Sequence, residues 1–291
     1  MPPCSGCKTK PGTMACSACH VAWYCSGKCQ KLHWNNGGHK KECCAVAKQN
    51  IHASCSRGHA DILAGILSLN PNIGMDWENR DGGTAAGMAA QGGHHKCLQL
   101  LSGRGANLNK QNNAGYGPIH IVCRNGDRDT LRVLLELGAS PFIPTGGDEC
   151  VAETPAKLCI VFGHTECLAL LYSFGVLPDT QDRYGQNHLH LAAVNGSEKA
   201  LQLAWSRGGN VNLLDHRGHT PLDVAVAMAA KTQSPASLSC VALIRSLGGE
   251  EILRPAGTKT IVMSTFGDVW SSQQTTLVCM YIYVSIYRMY V

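Results

Sequence analysis

Cysteine and histidine residues crowd the first 44 positions of the chain in a spacing that suits metal coordination. Two thiolates two or three residues apart can reach one zinc ion together, and two such half-sites complete a tetrahedral structural site. The thiols fall into three close pairs, Cys4-x2-Cys7, Cys16-x2-Cys19 and Cys25-x3-Cys29. A fourth half-site is therefore required, and His39-x3-Cys43 has the separation that places an imidazole and a thiolate on one side of a helical turn. The spacing predicts eight zinc ligands.

Other residues and another chemistry compete with this interpretation. His33 lies outside the four half-sites, and His20, beside Cys19, could replace a thiolate. On a helix, Cys44 would be rotated about 100° away from Cys43. A disulfide framework is the alternative for the whole set. No apolar export signal precedes the first cysteine, however, which favours an intracellular location, cytoplasmic or nuclear, where thiols stay reduced and bind metal.

The same stretch resembles a known family, the MYND zinc finger. The resemblance rests on the order of the eight ligands, on "WYC" before the fifth thiol and on "CQ" at the sixth. It implies a small cross-braced, treble-clef-like fold over residues 1–45 with two structural Zn²⁺ ions. One ion would be held by Cys4, Cys7, Cys25 and Cys29, and the other by Cys16, Cys19, His39 and Cys43.

The resemblance also implies that this finger docks short, proline-containing peptides. Gln30 and Trp34 stand at the motif positions for that contact, where an amide can bind peptide backbone and an indole can stack on a proline ring. Trp34 could instead pack against the zinc core. With every coordination position filled by protein, no position is left for water or substrate, which argues against zinc catalysis.

Zinc is expected to be obligatory for this segment. About 45 residues with few large apolar groups cannot bury a core that offsets the entropy of the chain. Structural zinc contributes on the order of 10 kcal/mol of folding free energy in such peptides. We therefore expect chelation of the metal to unfold the segment.

A different kind of sequence follows, rich in Gly, Ala and Leu and repeating with a period of about 33 residues. Five repeat starts, at Gly83, Tyr116, Glu153, Gln186 and His219, are separated by 33, 37, 33 and 33 residues. This period and the Thr-Pro-Leu-His-like start resemble the ankyrin repeat, a finger hairpin followed by two antiparallel helices. Residues 50–250 are predicted to hold about six repeats, the first and last being atypical caps. The predicted fold class is thus mostly α, a zinc finger followed by an ankyrin-repeat α-solenoid.

Single residues support this repeat. Threonine is predicted to cap the first helices, proline to occupy their first turn, and a left-handed glycine to end them. These residues are Thr84, Thr154 and Thr220, then Pro118, Pro155 and Pro221, then Gly58, Gly93, Gly126, Gly163 and Gly196. The second helices carry apolar stacking faces, beginning with Ile62 and Leu63, and cysteines inside the helices are predicted to be core fillers.

Histidines in the repeats have two predicted roles. His120 and His190 stand at the motif's own histidine position, where the ankyrin family uses the ring to tie neighbouring loops together. The pair His94-His95, and His216, are expected to be solvated, since none has a partner at metal spacing.

Charge and the end of the chain restrict the functions further. Residues 1–50 carry seven lysines and one acid, but these lysines lack interleaved arginine or stacking aromatics, so nucleic-acid binding is not the preferred interpretation. The 251–291 tail has no repeat pattern. Its final apolar run of 15 residues includes Arg288 and is shorter than the roughly 20 needed to span a bilayer. We expect a disordered or strand-like tail.

The sequence contains no hydrolase elbow, phosphate loop, HExxH helix or dinucleotide fingerprint, so we expect no enzyme activity. The preferred interpretation is a protein-protein adaptor, taken as a monomer, with one partner at the finger and another in the ankyrin groove. A nucleic-acid-associated or transcriptional regulator is the alternative, and RING-like ubiquitin-ligase activity is a minor one. The third finger is longer than the others and carries three acids, Asp148, Glu149 and Glu153. These acids are candidates to set binding specificity by their charge. The groove candidates are Arg80, Asn112, Tyr116, Arg124, Arg183, Tyr184, His216 and Arg217.

Overall fold

The computed structural model describes the backbone of residues 14–15, 23–24, 38–69, 73–146 and 153–251, and side chains within 48–68, 73–146 and 153–251. In these residues the fold is almost entirely helical. The only strands there are β1 (Met14–Ala15) and β2 (Trp23–Tyr24), which pair antiparallel. Met14 lies opposite Tyr24, and Ala15 lies opposite Trp23.

Six helix pairs make up the rest of the described chain. Successive first helices contact one another, as do successive second helices, so the pairs stack into two layers, which is the ankyrin arrangement that the repeat predicts. The pairs are α1 (Gly38–Arg57) and α2 (Ala60–Leu69), α3 (Ala85–Gln91) and α4 (His95–Ser102), α5 (Pro118–Asn125) and α6 (Arg128–Glu136), α7 (Pro155–Val161) and α8 (Thr165–Ser173), α9 (His188–Val194) and α10 (Glu198–Ser206), and α11 (Pro221–Thr232) and α12 (Pro235–Ser246).

The predicted caps are confirmed. The hydroxyl of Thr154 accepts a hydrogen bond from the amide of Lys157, three residues into α7, and Thr84 and Thr220 do the same for α3 and α11. Pro118, Pro155 and Pro221 each open a helix, where a missing N–H costs nothing. The local sequence therefore fixes where these first helices begin.

The turn between the two helices of a pair contains the predicted left-handed glycine in five pairs, but not in the sixth. The five predicted turn glycines have φ between 64° and 76°, which is the left-handed region. In the last pair, Gln233 takes this conformation with φ 48°, and its amide bonds to Ala229 O. The insertion "AKTQSPASLS" is accommodated there, because α11 has 12 residues whereas α9 has 7.

Cysteines in the repeat helices are core residues, as predicted. Cys55, Cys97, Cys123, Cys159, Cys167 and Cys240 are all buried and none forms a disulfide. Burial raises the pKa of the Cys55 thiol to about 12 and that of Cys240 to about 11. These thiols stay protonated at neutral pH, which suits an apolar filler and not a nucleophile.

One predicted stacking residue is exposed. Ile62 in α2 has an exposed fraction of 55%, so its assignment to a stacking face is wrong. Its equivalents in later helix pairs include Cys97, which is fully buried where its helix pair packs on the preceding one. Ile62 belongs to the first pair, and among the described residues no earlier pair covers it.

The first helix is longer than a repeat requires. α1 runs without a break from Gly38 to Arg57, through residues 46–49, which the sequence assigns to neither module. Its second half carries Ile51 and Cys55, both buried, and it packs on α3. One helix thus begins inside the segment of the predicted zinc ligands and ends in the ankyrin core.

Candidate interaction surfaces

The finger tips are tight turns of one construction. In each, the side-chain oxygen of the first residue accepts hydrogen bonds from the amides two and four residues later, and the fourth residue is a left-handed glycine. Because the acidic or amide group of each turn is used internally, the two residues between it and the glycine remain to face outward. The described turns are 79–82, 112–115, 182–185 and 215–218.

Neighbouring tips are joined by backbone hydrogen bonds. The amide of Asn113 donates to Asp81 O at 3.0 Å, and the amide of His216 donates to Tyr184 O at 2.9 Å. The tip of the third finger is joined in the same way, since the amide of Gly146 donates to Gly115 O at 2.9 Å. These bonds hold the exposed side chains of adjacent tips in fixed relative positions.

Every predicted groove residue is at least partly exposed. Seven lie in or beside tip turns, and Arg124 lies near the end of α5. Two of them also have local structural roles: Asn112 closes its own turn, and the Tyr116 ring meets the His120 ring edge-on, with centroids 6.2 Å apart. Arg80, Arg183, His216 and Arg217 are exposed, whereas Asn112, Tyr116, Arg124 and Tyr184 are half-buried.

Adjacent tips of the fourth and fifth fingers present basic groups outward and hold their acids inward. Asp182 lies 3.7 Å from the Lys157 ammonium of α7. Burial raises the pKa of Asp215, but hydrogen bonds from the His219 side chain and from backbone amides outweigh it and lower the pKa to about 2. Outward, the Arg183 guanidinium stacks 4.5 Å from the centroid of the Tyr184 ring.

The motif histidines join each first helix to the next finger, as predicted. Burial lowers the pKa of His120 to about 4, opposed by its bond to Ile143, so the ring is neutral at pH 7. Its Nδ1 accepts from the amide of Gly117 at 3.1 Å, and its Nε2 donates to Ile143 O at 2.7 Å. His190 Nε2 lies 3.0 Å from His219 O. In the repeat between them, Lys157 stands at this position and contacts Asp182 instead.

The other histidines differ from prediction. His94 Nε2 lies 3.2 Å from Ser56 O, and His95 Nε2 lies 2.9 Å from Thr130 Oγ1. Both rings are half-buried and link neighbouring helix pairs, so the expectation that they are solvated is wrong. Only His216 is exposed as expected.

Sequence reasoning found only one member, Arg124, of a row of positions on the first helices. The residue two places before each turn glycine is at least partly exposed, and along the stack these residues are Ser56, Gln91, Arg124, Val161 and Val194. Val161 has an exposed fraction of 37%, and Val194 is half-buried. Aligning the repeats on the turn glycines would have found them.

A separate depression lies on the second helices. It has a volume of about 700 Å³ and involves α6, α8 and the end of the α10 segment. Arg128, Arg132 and Arg207 line it together with Glu136 and Glu166, so the charges partly cancel.

The predicted zinc ligands lie outside the described side chains, and so do Gln30 and Trp34. The backbone around them fits the metal. α1 places positions 39 and 43 about one helical turn apart, and the β1–β2 pair brings the chain next to Cys16 alongside the chain before Cys25. Among the side chains that are described, no group of three or more His, Cys, Asp or Glu could hold a metal ion.

Of the acids predicted in the third finger, only Glu153 is described. Its pKa is raised by burial, and Lys157 and Arg124 oppose this shift. Asp148, Glu149 and the 252–291 tail lie outside the described residues. None of the helices described here is long and apolar enough to cross a membrane.

Stacked helix pairs with bonded finger tips and no described chemical site define a repeat scaffold of the ankyrin class. The family model "Ankyrin repeats (3 copies)" matches residues 50–145 and 156–244, more than half of the chain, and the "MYND finger" model matches residues 4–43. The chain therefore belongs to the ankyrin-repeat family and carries a MYND finger before its repeats. A MYND finger implies zinc binding, and ankyrin repeats indicate protein partners.

Solved structures share the fold. The human ASB11 ankyrin repeat domain matches with a TM-score of 0.57 and 21% identity, covering 72% of this chain and 88% of that one. The ankyrin repeat domain of Bcl-3, a member of the IkappaB family, matches with a TM-score of 0.59 and 22% identity, covering 69% and 86%.

Two curated proteins share part of their sequence with this chain. The E3 ubiquitin-protein ligase KEG of Arabidopsis thaliana is 22% identical over 284 residues, which covers 71% of this chain and 17% of that protein. The human transient receptor potential cation channel subfamily A member 1 is 23% identical over 185 residues, covering 60% and 16%. The chain thus spans about a sixth of the length of these relatives.

Proposed function

We propose that this protein is a non-enzymatic adaptor that joins two protein partners. One partner is a short, proline-containing peptide that docks on the MYND finger through Gln30 and Trp34. The other is a protein that binds the groove surface, by which we mean the finger tips together with the exposed side of the first helices.

The groove surface carries this proposal. Equivalent positions of the repeats divide into a buried set, which stacks, and an exposed set, which varies in chemistry from Arg80 to Tyr184 and Arg217. The tips that bear the exposed set are hydrogen-bonded to one another, so a partner would meet a prearranged surface and lose little entropy in ordering it. Such a surface is suited to binding a protein partner.

The finger is proposed to hold two Zn²⁺ ions in a cross-brace. The pairing is the one that the MYND family implies, with Cys4, Cys7, Cys25 and Cys29 at one ion. The second ion would be held by Cys16 and Cys19 and by His39 and Cys43. Because α1 continues into the ankyrin core, the finger would be tied to the repeats by a helix and not by a linker.

Crosslinking and affinity purification of the zinc-loaded full chain would test the adaptor. The finger variant is Gln30→Ala/Trp34→Ala, and the groove variant is Tyr116→Ala/Arg124→Ala. A pair of exposed arginines on the second helices, Arg128→Ala/Arg132→Ala, is the control. We expect each of the first two variants to lose a different partner, with both partners present in one wild-type complex.

Other outcomes would contradict the adaptor. If both variants lose the same partner, the finger and the groove form one binding surface. If neither variant loses a partner, the proposal of two binding sites is wrong. Autoubiquitination with purified conjugating enzymes would support the ligase alternative. Binding to DNA or RNA that weakens steeply with salt would support the nucleic-acid alternative.

A further inference from the structure

Two features of different chemistry, each at least partly exposed, lie in the C-terminal half of the groove surface. The first, here called the basic edge, consists of Arg183 and Tyr184 in one tip turn and of His216 and Arg217 in the next. The second, the apolar floor, consists of Val161 at the end of α7 and Val194 at the end of α9. Similar positions earlier in the stack, Gln91 and Arg124, are polar.

The contacts place the floor next to the edge. Lys157 lies one helical turn before Val161 and is 3.7 Å from Asp182, the first residue of one tip turn. His190 lies one turn before Val194 and bonds to His219 O, directly after the other tip turn. Each floor valine is therefore about one turn of helix, roughly 5 Å of rise, from a residue that contacts Asp182 or His219, which flank the edge residues in sequence.

The charge of the edge is set by its internal bonding. Asp182 and Asp215 turn their carboxylates toward backbone amides, Lys157 and His219, while Arg183 and Arg217 remain exposed. The amide of His216 bonds to Tyr184 O, so the two turns present their side chains as one surface. An occupant of complementary charge is acidic, and one that also covers the floor must carry apolar side chains.

We propose that the basic edge and the apolar floor form a docking site for an acidic segment of a partner protein that carries apolar residues at regular intervals. Packed helices stand about 8–10 Å apart, and a chain in the polyproline II conformation rises about 3.1 Å per residue with three residues per turn, so residues three apart lie on one face. A segment with an apolar residue at every third position would therefore place one on each floor valine, with acids between them toward the arginines. The proposal specifies the partner chemistry of the groove and so rests on the proposed function.

Fluorescence anisotropy with synthetic peptides tests this directly on the zinc-loaded full chain. The probe is a labelled peptide of repeated Leu-Glu-Glu triplets, compared with Leu-Lys-Lys and Ser-Glu-Glu triplets of equal length. We expect the Leu-Glu-Glu peptide to bind at least about tenfold more tightly than either. Its affinity should fall with added salt, because part of the attraction is between exposed charges.

Variants locate the site. Arg183→Glu/Arg217→Glu should weaken the Leu-Glu-Glu peptide by about tenfold or more, and Val161→Ser/Val194→Ser by a few-fold. Arg128→Glu/Arg132→Glu makes the same charge change at two exposed arginines of the second-helix depression and should change binding less than twofold. Unaltered helical signal and unfolding midpoint would exclude misfolding of any variant.

Three results would overturn the inference: equal binding of the Lys and Glu peptides, unchanged binding in Arg183→Glu/Arg217→Glu, or loss in Arg128→Glu/Arg132→Glu instead. These results can be distinguished from results that contradict the adaptor proposal. If no Leu-Glu-Glu peptide binds but crosslinking still yields a groove-dependent partner, the docking chemistry is wrong and the adaptor stands. If the peptide binds as expected but no partner depends on the finger, the adaptor is wrong and the site stands.

Discussion

The two regions of this chain differ in what can hold them folded. The ankyrin stack buries a continuous apolar core, with Leu98, Leu131, Leu168 and Leu201 fully covered at equivalent positions of successive helix pairs. The MYND segment is rich in cysteine and lysine and poor in large apolar side chains, so we expect metal to supply its folding energy. We therefore expect metal chelators to unfold the MYND segment and core substitutions to destabilise the ankyrin stack.

Helix α1 is where the two regions meet. Its first turns contain positions 39 and 43, and its last turns contain the buried Ile51 and Cys55. A disturbance of the finger should therefore reach the first helix pair and fade along the stack, because each pair contacts only its neighbours.

The largest effect is expected from the metal ligands. Native mass spectrometry should find two zinc ions per chain, and His39→Ala or Cys43→Ala should reduce this number, with a loss on the order of 10 kcal/mol of finger stability for complete removal. His33→Ala and Cys44→Ala are the controls and should keep both ions. One ion in the wild type, or a loss caused by a control, would contradict the assigned ligands.

A core substitution should act on the stack alone. Leu168→Ala removes a side chain that is fully buried in α8 and should lower the free energy of unfolding of the repeats by about 3–5 kcal/mol. Ile62→Ala, at an exposed position, should cost less than about 1 kcal/mol. Urea denaturation, monitored through the circular dichroism signal of the helices, measures the change in unfolding free energy of both variants. A changed zinc content in Leu168→Ala would show that the two regions are not held separately.

Acidification should destabilise the stack through its buried histidines. Burial lowers the pKa of His188 to about 4, partly opposed by Asp179, and the pKa of His120 is also about 4. Unfolded histidine binds a proton near pH 6.5, so between pH 6.5 and 4 protons favour the unfolded state, by up to about 2–3 kcal/mol per ring.

Urea denaturation at a series of pH values checks this dependence. His188→Gln removes a titrating ring that bonds to the Tyr172 hydroxyl at 2.9 Å, and it should flatten the fall in stability below pH 6.5. His216→Gln, at an exposed ring, is the matched control and should leave the slope as it is. A slope that is equal in both variants would mean that His188 does not remain neutral in the fold.

The smallest effect is expected at a helix cap. Thr154→Ala removes the hydroxyl that accepts from the Lys157 amide and should cost about 1 kcal/mol of stack stability. Thr154→Ser keeps the hydroxyl and should restore most of it. Both variants should bind the wild-type number of zinc ions. If Thr154→Ser is as unstable as Thr154→Ala, the cap bond is not the source of the effect.

The sequence predicts the repeats well, because their signals are local. Caps such as Thr154, the opening prolines and the turn glycines act on the backbone of their own turn, and the structure has them where the repeat predicts. Three features depend on neighbours and were missed. Ile62 is exposed because it ends the stack, Gln233 replaces a glycine after an extended helix, and His94 bonds to a helix pair that only stacking brings near.

The candidate site was predicted in part for the same reason. Turn chemistry identifies exposed tip residues such as Arg183 and Arg217, whereas Val161 and Val194 look like core in sequence, since valine in a helix usually is. Val161 is exposed and Val194 is half-buried because each lies at the end of a first helix. The continuity of α1 was also missed, because the composition changes near residue 50 and residues 46–49 were assigned to neither module.

Hydrogen exchange of the full chain, with and without a zinc chelator, tests most directly whether metal holds one region and stacking the other. After chelation, amides of residues 1–37 should exchange rapidly, those of α1 should show a graded increase, and those from α5 (Pro118–Asn125) to α12 (Pro235–Ser246) should be unchanged. Loss of protection throughout α5 to α12, or no change in residues 1–37, would contradict the account.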